Sequence, residues 1–167
     1  SDVVKKVLHV INEFNLNKAI TIRLITNGSY MTKPSVQDAW KQITKVNKEI
    51  WFKIDSVSNE DTKIINQVNS SLNLTSKNIE SAIKISPTII QTCVIKINGE
   101  LPSNESINKY IAFIKKYEKS LNGIHLYSLA RPTEQKITPK IERLTEEELM
   151  SIATKIKKLD LPVSAYV

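Results

Sequence analysis

The sequence predicts an α/β protein in which strands and helices alternate to build a mostly parallel, curved sheet. Apolar stripes at helical spacing alternate with β-branched runs along the 167 residues, and strands begin near residues 20, 49, 89, 123 and 162. Such alternation requires crossover connections, which make neighbouring strands parallel. The strands are apolar on one face and carry ionisable residues on the other. Because a sheet covered by helices on both faces has apolar strands throughout, the pattern favours a barrel or half-barrel with a polar lumen.

Length and composition limit the class of protein. The chain has 167 residues, 41% hydrophobic and 25% charged, which suits one globular domain spanning 1–167. No apolar run approaches the ~18 residues of a membrane span, and no signal peptide is visible, so we expect a cytoplasmic protein with no membrane partner. The single cysteine, Cys93, excludes a disulfide framework and a self-contained metal or iron–sulfur site built on several thiolates.

The basic charge indicates a solvated surface. The net charge is +7, from 24 Lys+Arg against 17 Asp+Glu, and the lysines are spread along predicted helical faces. Nucleic-acid footprints have basic stripes with arginine or aromatic residues between them, and only 115–116 and 155–158 come near that pattern. RNA binding stays an open alternative.

The first half of the chain contains regular helix and strand patterns. Apolar spacing over 3–14 predicts a helix, and the β-branched run 19–26 predicts a strand that Asn27-Gly28 ends. After Pro34, residues 35–38 have the spacing of a capping box for a helix that reaches Val46. The elements that follow are a strand over 49–55, a short helix capped by 58–61, and a helix after Thr75 that Pro87 ends.

The second half continues the alternation. Residues 89–97 predict a third strand closed by Asn98-Gly99, and the apolar stripe 107–121 predicts a helix. A capping box at 145–148 opens the last helix. The other elements are a fourth strand over 124–129, a polar loop over 130–144 and a short last strand over 163–167.

Polar residues at alternate strand positions are the main functional signal. Trp51, Lys53 and Asp55 share one face of the second strand, opposite Phe52 and Ile54. A buried Lys or Asp is costly unless it is paired or used, so Lys53 and Asp55 are either functional, or a buried structural ion pair, or part of an edge strand that faces solvent. Arg23 and His125 lie on polar faces of the first and fourth strands, and Gln91 lies on one candidate face of the third. The structural alternative is a salt bridge inside the barrel for Arg23 and a satisfied core or rim histidine for His125. Phosphate-binding loops and nucleophile elbows are absent from the sequence.

Four strand ends resemble one known family in order and spacing. Residues 24–29 (LITNGS) resemble the T-N-G-S that ends the third strand of radical S-adenosylmethionine (radical SAM) enzymes. Residues 52–56 (FKIDS) are similar to their fourth strand, and 90–92 (IQT) followed by Gly99 to their fifth. Residues 125–132 (HLYSLARP) resemble the sixth strand in the iron–sulfur oxidoreductase branch. The resemblance covers nearly the whole chain and extends to the helix that begins at 145–149 (TEEEL).

The resemblance implies a fold, a cofactor and a set of lining residues. The chain would be the C-terminal portion of a radical SAM-type partial barrel, a half-barrel of the TIM-like kind, with S-adenosylmethionine at the carboxyl mouth. In such enzymes a reduced [4Fe–4S] cluster cleaves S-adenosylmethionine, and the resulting radical removes a hydrogen atom from the substrate. The implied cofactor-lining residues are Thr26, Asn27, Gly28, Ser29, Lys53, Asp55, Ser56, Tyr127, Ser128 and Arg131. The implied substrate-lining residues are Arg23, Gln91 and His125.

The chain also departs from the family pattern. The C-x-x-x-C-x-x-C loop that holds the cluster is absent, as is the G-G-E strand end that meets the methionyl amino group. We therefore expect a fragment that is inactive alone, whose first partner is the missing N-terminal part of its parent enzyme. An open edge on the first strand would also allow a dimer. The alternatives are a non-catalytic α/β binding or assembly module, and an RNA-contacting part of a tRNA-modifying enzyme.

Overall fold

A computed structural model describes residues 2–14, 20–44, 46–58, 62–63, 65, 71–130 and 139–166. The helices within these residues are α1 (Asp2–Glu13), α2 (Pro34–Lys41), α3 (Leu72–Ile85), α4 (Asn104–Lys115) and α5 (Glu146–Ile156). A 3-10 turn covers Glu118–Ser120. The strands are β1 (Thr21–Thr26), β2 (Asn47–Lys53), β3 (Thr88–Cys93), β4 (Lys96–Ile97), β5 (Gly123–Tyr127), β6 (Ile141–Glu142) and β7 (Val163–Tyr166). In the described residues, no helix combines the length and the apolar character that a bilayer crossing requires.

The main sheet has five strands in the order β1-β2-β3-β5-β7. All four neighbouring pairs are parallel. This confirms the predicted α/β class and the sequential parallel order of the four longer strands. The order contains no reversal, whereas a doubly wound sheet reverses at its ligand crevice. The doubly wound form of the binding-module alternative is therefore wrong.

The hydrophobic core lies on one face of this sheet. Ile50, Phe52, Ile90, Ile124 and Leu126 are fully buried and pack with apolar residues from all five helices. The core thus matches the predicted strand parity, with Phe52 and Ile54 on the helix side. The opposite face, which we call the open face, carries a row of polar and aromatic residues: Arg23, Glu49, Trp51, Lys53, Gln91, His125, Tyr127 and Tyr166.

The turn after β1 needs a glycine. Gly28 has a φ of 77°, in the left-handed region. A Cβ placed on it would lie 2.2 Å from Cζ of Phe52. The predicted Asn27-Gly28 strand end is confirmed, and the ring of Phe52 in β2 fills the space that a side chain at Gly28 would need.

The third predicted strand is wrong at its end. Instead of running over 89–97, β3 ends at Cys93, and β4 pairs with β6 in a separate antiparallel sheet. Two residues with positive φ, Asn98 and Gly99, turn the chain after β4. The N–H of Asn98 then donates to the carbonyl of Lys140, 2.8 Å away. This contact and the pairing of β4 with β6 tie the segment after β3 to the residues before α5, away from the main sheet. Most of the predicted 130–144 loop, residues 131–138, lies outside the described residues.

Two of the predicted helix starts are also wrong. Pro34 is the first residue of α2 and Lys33 its N-cap, with no side-chain cap, so Ser35 does not open a capping box. Proline suits the first helical position because its φ is already helical and it lacks an N–H. Helix α3 begins at Leu72, and the hydroxyl of Thr75 donates to the carbonyl of Ser71 inside it. The predicted capping box of Thr145 and Glu148 is confirmed. The predicted helix after 58–61 lies mostly outside the described residues.

Candidate functional site

A lysine, a tyrosine and an aspartate meet at the carboxyl end of the central strands. Nζ of Lys53 donates to the hydroxyl of Tyr127 at 2.6 Å and lies 3.8 Å from Oδ1 of Asp55. The same Oδ1 accepts a hydrogen bond from the N–H of Cys93 at 3.0 Å. The side chain of Asp55 is 8% exposed and that of Lys53 is 33% exposed. The structure thus brings together three of the predicted residues, and the structural ion pair foreseen for Lys53 and Asp55 is present.

Burial and hydrogen bonding set the protonation states of this cluster. Burial lowers the pKa of Lys53, but the hydrogen bond that Lys53 donates to Tyr127 and the charge of Asp55 outweigh the effect of burial, so the pKa is raised. Burial raises the pKa of Tyr127, and Lys53 opposes that rise only in part. Burial, helped by Asp55, raises the pKa of the Cys93 thiol to about 11. At neutral pH the cluster is therefore a cationic lysine beside a neutral tyrosine and a neutral thiol.

A second group on the open face joins β1 to β2. Nε of Arg23 donates to Oε1 of Glu49 at 2.5 Å, and Nε1 of Trp51 donates to the same oxygen at 2.9 Å. The guanidinium of Arg23 also lies 5.4 Å from the centre of the Trp51 ring. The salt bridge expected as the structural reading of Arg23 is present. Glu49 was not among the predicted site residues, although its position two residues before Trp51 placed it on the same face.

His125 lies within an aromatic cluster on the same face. Its ring makes edge contacts with Trp51 at 4.8 Å and with Tyr166 at 5.1 Å between centroids. Its Nδ1 is buried and has no hydrogen-bond partner within the described residues. Burial lowers the pKa of His125, with Arg23 adding to the shift and Glu49 opposing it. Gln91 occupies the position between Lys53 and His125 in the register of β2, β3 and β5.

Two polar side chains of the β1 turn hold the turn itself. Oγ1 of Thr26 accepts from the N–H of Gly28 at 3.0 Å, and Oδ1 of Asn27 accepts from the N–H of Ser29 at 3.1 Å. Such side-chain bonds two residues ahead stabilise turns on their own account. The geometry therefore assigns Thr26 and Asn27 a structural task at the carboxyl end of β1.

The remaining predicted residues differ in their surroundings. Ser128 is buried, and its hydroxyl donates to the carbonyl of Val94 and accepts from the N–H of Leu144. It links the end of β5 to two other segments. Oγ of Ser56 accepts from the N–H of Ser58 at 3.1 Å, next to Asp55. Arg131 lies outside the described residues.

A cavity of about 460 Å³ opens beside Asp55, where β2 and β3 end against α4 and α5. Its polar lining includes Thr92 and Tyr110, whose hydroxyls lie 2.8 Å apart. The hydroxyl of Thr92 also lies 2.8 Å from the carbonyl of Ile54, to which it donates. Tyr110 therefore donates to Thr92, and burial raises its pKa far above the ordinary value. The aliphatic lining consists of Val57, Ile65, Val94, Ile95, Ile97, Leu101, Ile107, Ile152 and Ile156.

The charge of the cavity is one-sided. Asp55 and Glu100 line it, and among the described lining residues there is no lysine, arginine or histidine. A phosphate or a carboxylate would find no cationic partner there. The wall therefore suits an uncharged or cationic group with an apolar body. The sequence pattern does not reveal this cavity, because Tyr110 fits the apolar stripe of α4 equally well.

The structure shows no metal centre within its described part. No three His, Cys, Asp or Glu side chains there converge as a metal ion would require.

The fold and the site together define a class of protein. It has a parallel α/β sheet with helices on one face, a row of ionisable side chains on the other, and a cavity at the carboxyl ends of the strands.

Solved structures of other proteins share this fold. A domain of pyruvate-formate lyase-activating enzyme from Bacteroides vulgatus matches with a TM-score of 0.66 and 13% identity, over 98% of this chain and 91% of that one. A radical SAM methyltransferase from Sphaerobacter thermophilus matches with a TM-score of 0.54 and 9% identity, over 87% of this chain. The present chain spans 40% of that second protein's length. No protein-family model and no curated protein sequence matches the chain. The fold of this chain is therefore also found in a radical SAM enzyme. The four strand ends described above resemble the same superfamily.

Proposed function

We propose that this chain is the S-adenosylmethionine- and substrate-lining part of a radical SAM iron–sulfur oxidoreductase in the cytoplasm. The observation that carries the proposal is the cluster of Lys53, Asp55 and Tyr127 beside an apolar cavity, at the strand ends where parallel α/β folds bind ligands. The fold shared with a named radical SAM enzyme supports it. S-adenosylmethionine, when bound in such an enzyme, supplies the one-electron chemistry that removes a hydrogen atom from a substrate.

The residues present suit the adenosyl end of this cofactor. Asp55 lines the cavity, and its Oδ2 has no partner among the described residues, so it can accept a hydrogen bond from a ribose hydroxyl. The tyrosine hydroxyl accepts a hydrogen bond from Lys53, which holds it on the open face beside Asp55. The aliphatic cavity without cationic lining residues suits the uncharged adenine ring and disfavours nucleotide phosphates. The chain would thus hold and orient the cofactor and shelter it from water.

The residues present do not suit the iron–sulfur cluster. Cys93 is the single cysteine of the sequence, and burial keeps it as a thiol, with a pKa of about 11. A [4Fe–4S] cluster takes several thiolate ligands. We propose that the cluster belongs to a part of the parent enzyme outside this chain, and that the chain alone is inactive.

Titration calorimetry of the chain with S-adenosylmethionine tests the proposal. We expect saturable binding, weakened about ten- to a hundredfold by Asp55→Ala through the loss of a charge-assisted hydrogen bond. Asp38→Ala is the matched control, because Asp38 is an exposed aspartate on α2 whose described ion pair is with Lys41. ATP serves as the comparison ligand and should bind more weakly than S-adenosylmethionine.

Two results would reject the proposal. The first is an Asp55→Ala protein that melts at a lower temperature yet binds S-adenosylmethionine as well as the wild type, since Asp55 would then be only structural. The second is binding of ATP as tight as that of S-adenosylmethionine. The absence of cationic side chains from the described cavity lining would then not disfavour phosphates as proposed. The RNA-contacting alternative stays a prediction, and a salt-dependent RNA titration tests it.

A further inference from the structure

Helix α1 carries two apolar stripes and uses one of them. Val4, Leu8 and Ile11 pack against the core of the chain. A second row, which we call the outer stripe, consists of Val3, Val7, Val10 and Phe14, and these residues are 70%, 44%, 49% and 67% exposed. A surface helix of a globular protein needs one apolar stripe, and a continuous exposed row marks a contact surface.

We propose that the outer stripe is a self-association surface, on which α1 of a second copy packs in the antiparallel direction. The residues of the stripe are spaced by four, three and four positions. This is the a/d spacing of helices that pair along a common seam, with Val7 and Phe14 at a and Val3 and Val10 at d. The pairing is isologous, so two copies bury the same four side chains and the assembly closes as a dimer.

Charge next to the stripe selects the direction of pairing. Lys6 and Glu13 are seven residues apart, so both occupy the g position at the edge of the stripe. In an antiparallel pair the g edges face each other, which sets Lys6 against Glu13 of the second copy at both ends. A parallel pair would set g against e, and the e residues are Val4 and Ile11, which face the chain's own core.

The surface differs from the open edge of β1 and predicts a weak dimer. Stable protein interfaces bury roughly 1,200 Å² or more, and four partly exposed side chains per copy bury less than that. We therefore expect a dissociation constant of about 10 μM. The proposed dimer involves only α1 and does not depend on the proposed cofactor site.

Sedimentation velocity over a concentration series tests the proposal on the wild-type chain and four variants. We expect a monomer–dimer equilibrium that Val7→Glu abolishes. Lys6→Glu should raise the dissociation constant of the dimer about tenfold, because a glutamate at position 6 would lie opposite Glu13 of the second copy and repel it. The double variant Lys6→Glu/Glu13→Lys should restore the dimer. Lys5→Glu is the matched control: Lys5 is exposed on the same helix but lies away from the seam, so the same charge change should have no effect.

Each remaining outcome overturns the proposal. A wild-type chain that stays monomeric rejects self-association. A dimer that survives Val7→Glu uses another surface, such as the β1 edge. A double charge exchange that fails to restore the dimer rejects the antiparallel arrangement. Circular dichroism shows whether the Val7→Glu variant remains folded. If that variant is unfolded, Lys6→Glu still tests the dimer, because it replaces one exposed polar side chain with another.

Discussion

Nζ of Lys53 lies 2.6 Å from the hydroxyl of Tyr127, although the two residues belong to β2 and β5, with β3 between them. The contact crosses the open face above Cys93, whose thiol is influenced by both residues. A long lysine stem lets an ammonium group reach across a central strand while the strand pairing below stays regular. The contact therefore couples the ionisation of groups on three strands.

Removing the lysine should change the ionisation of the tyrosine. Lys53→Met deletes the hydrogen bond and the positive charge that lower the pKa of Tyr127, so the pKa should rise further. Ultraviolet absorbance of tyrosinate during an alkaline titration measures the shift, with Tyr127→Phe identifying its contribution. Lys33→Met is the control, because Nζ of Lys33 lies over the ring of Tyr30 instead. An unchanged titration of Tyr127 in Lys53→Met would show that the contact is absent in solution.

The same pair sets a dependence of stability on alkaline pH. The pKa of Lys53 is raised above its ordinary 10.5 in the folded chain. Its stabilising contribution is therefore complete below pH 10.5 and is lost as the pH rises through the folded value.

The β1 turn offers a comparison between two glycines. Gly28→Ala forces a Cβ into the left-handed region and to within 2.2 Å of the Phe52 ring, so we expect a loss of about 3 kcal/mol in the free energy of unfolding. Gly99→Ala has a similar φ of 83° but a nearest atom 3.8 Å away, so about 1 kcal/mol should be lost. Urea denaturation measures both. Equal losses would mean that the ring of Phe52 moves aside at no cost.

Strand parity allowed the faces of the sheet to be predicted from sequence alone. Phe52 and Ile54 alternate with Lys53 and Asp55, and a sheet that packs helices on one side must turn the apolar set inward. The helix start at Ser35 was predicted wrongly because serine and proline both favour helix N-termini, and the backbone chose Pro34 as the first residue.

Long-range contacts account for what sequence patterns missed. β4 and β6 have two residues each, too few for a periodic signal, and their pairing depends on how the chain folds back. The hydroxyl contact between Thr92 and Tyr110 joins a strand to the helix that follows. Each residue fits its own element without the other, so the cavity beside them could not be predicted.

The Thr92–Tyr110 contact should give a measurable coupling. Thr92→Val leaves the buried Tyr110 hydroxyl and the Ile54 carbonyl without a partner, which should cost about 1 to 3 kcal/mol. Tyr110→Phe leaves the bond from Thr92 to Ile54 in place and should cost less. The double variant should cost about 1 kcal/mol less than the sum of the two, since no tyrosine hydroxyl is then stranded. Chemical denaturation of the four proteins measures the cycle, and strict additivity would show that the hydroxyls do not interact.

The pH dependence of stability tests the packing of His125 against Trp51 and Tyr166. The pKa of His125 is lowered from 6.5, mainly by burial, so its neutral form is favoured in the folded chain. Stability should be complete above pH 6.5 and decline as the pH falls below it, because the unfolded chain binds the proton more readily. His125→Phe keeps a ring against Trp51 and Tyr166 and should remove that decline. His9→Gln is the control, because His9 is exposed on α1 and contacts Glu13. Urea midpoints measured between about pH 7 and pH 5, above the range where carboxylates titrate, separate the two variants. A decline that persists in His125→Phe and disappears in His9→Gln would contradict the burial of His125 as its cause.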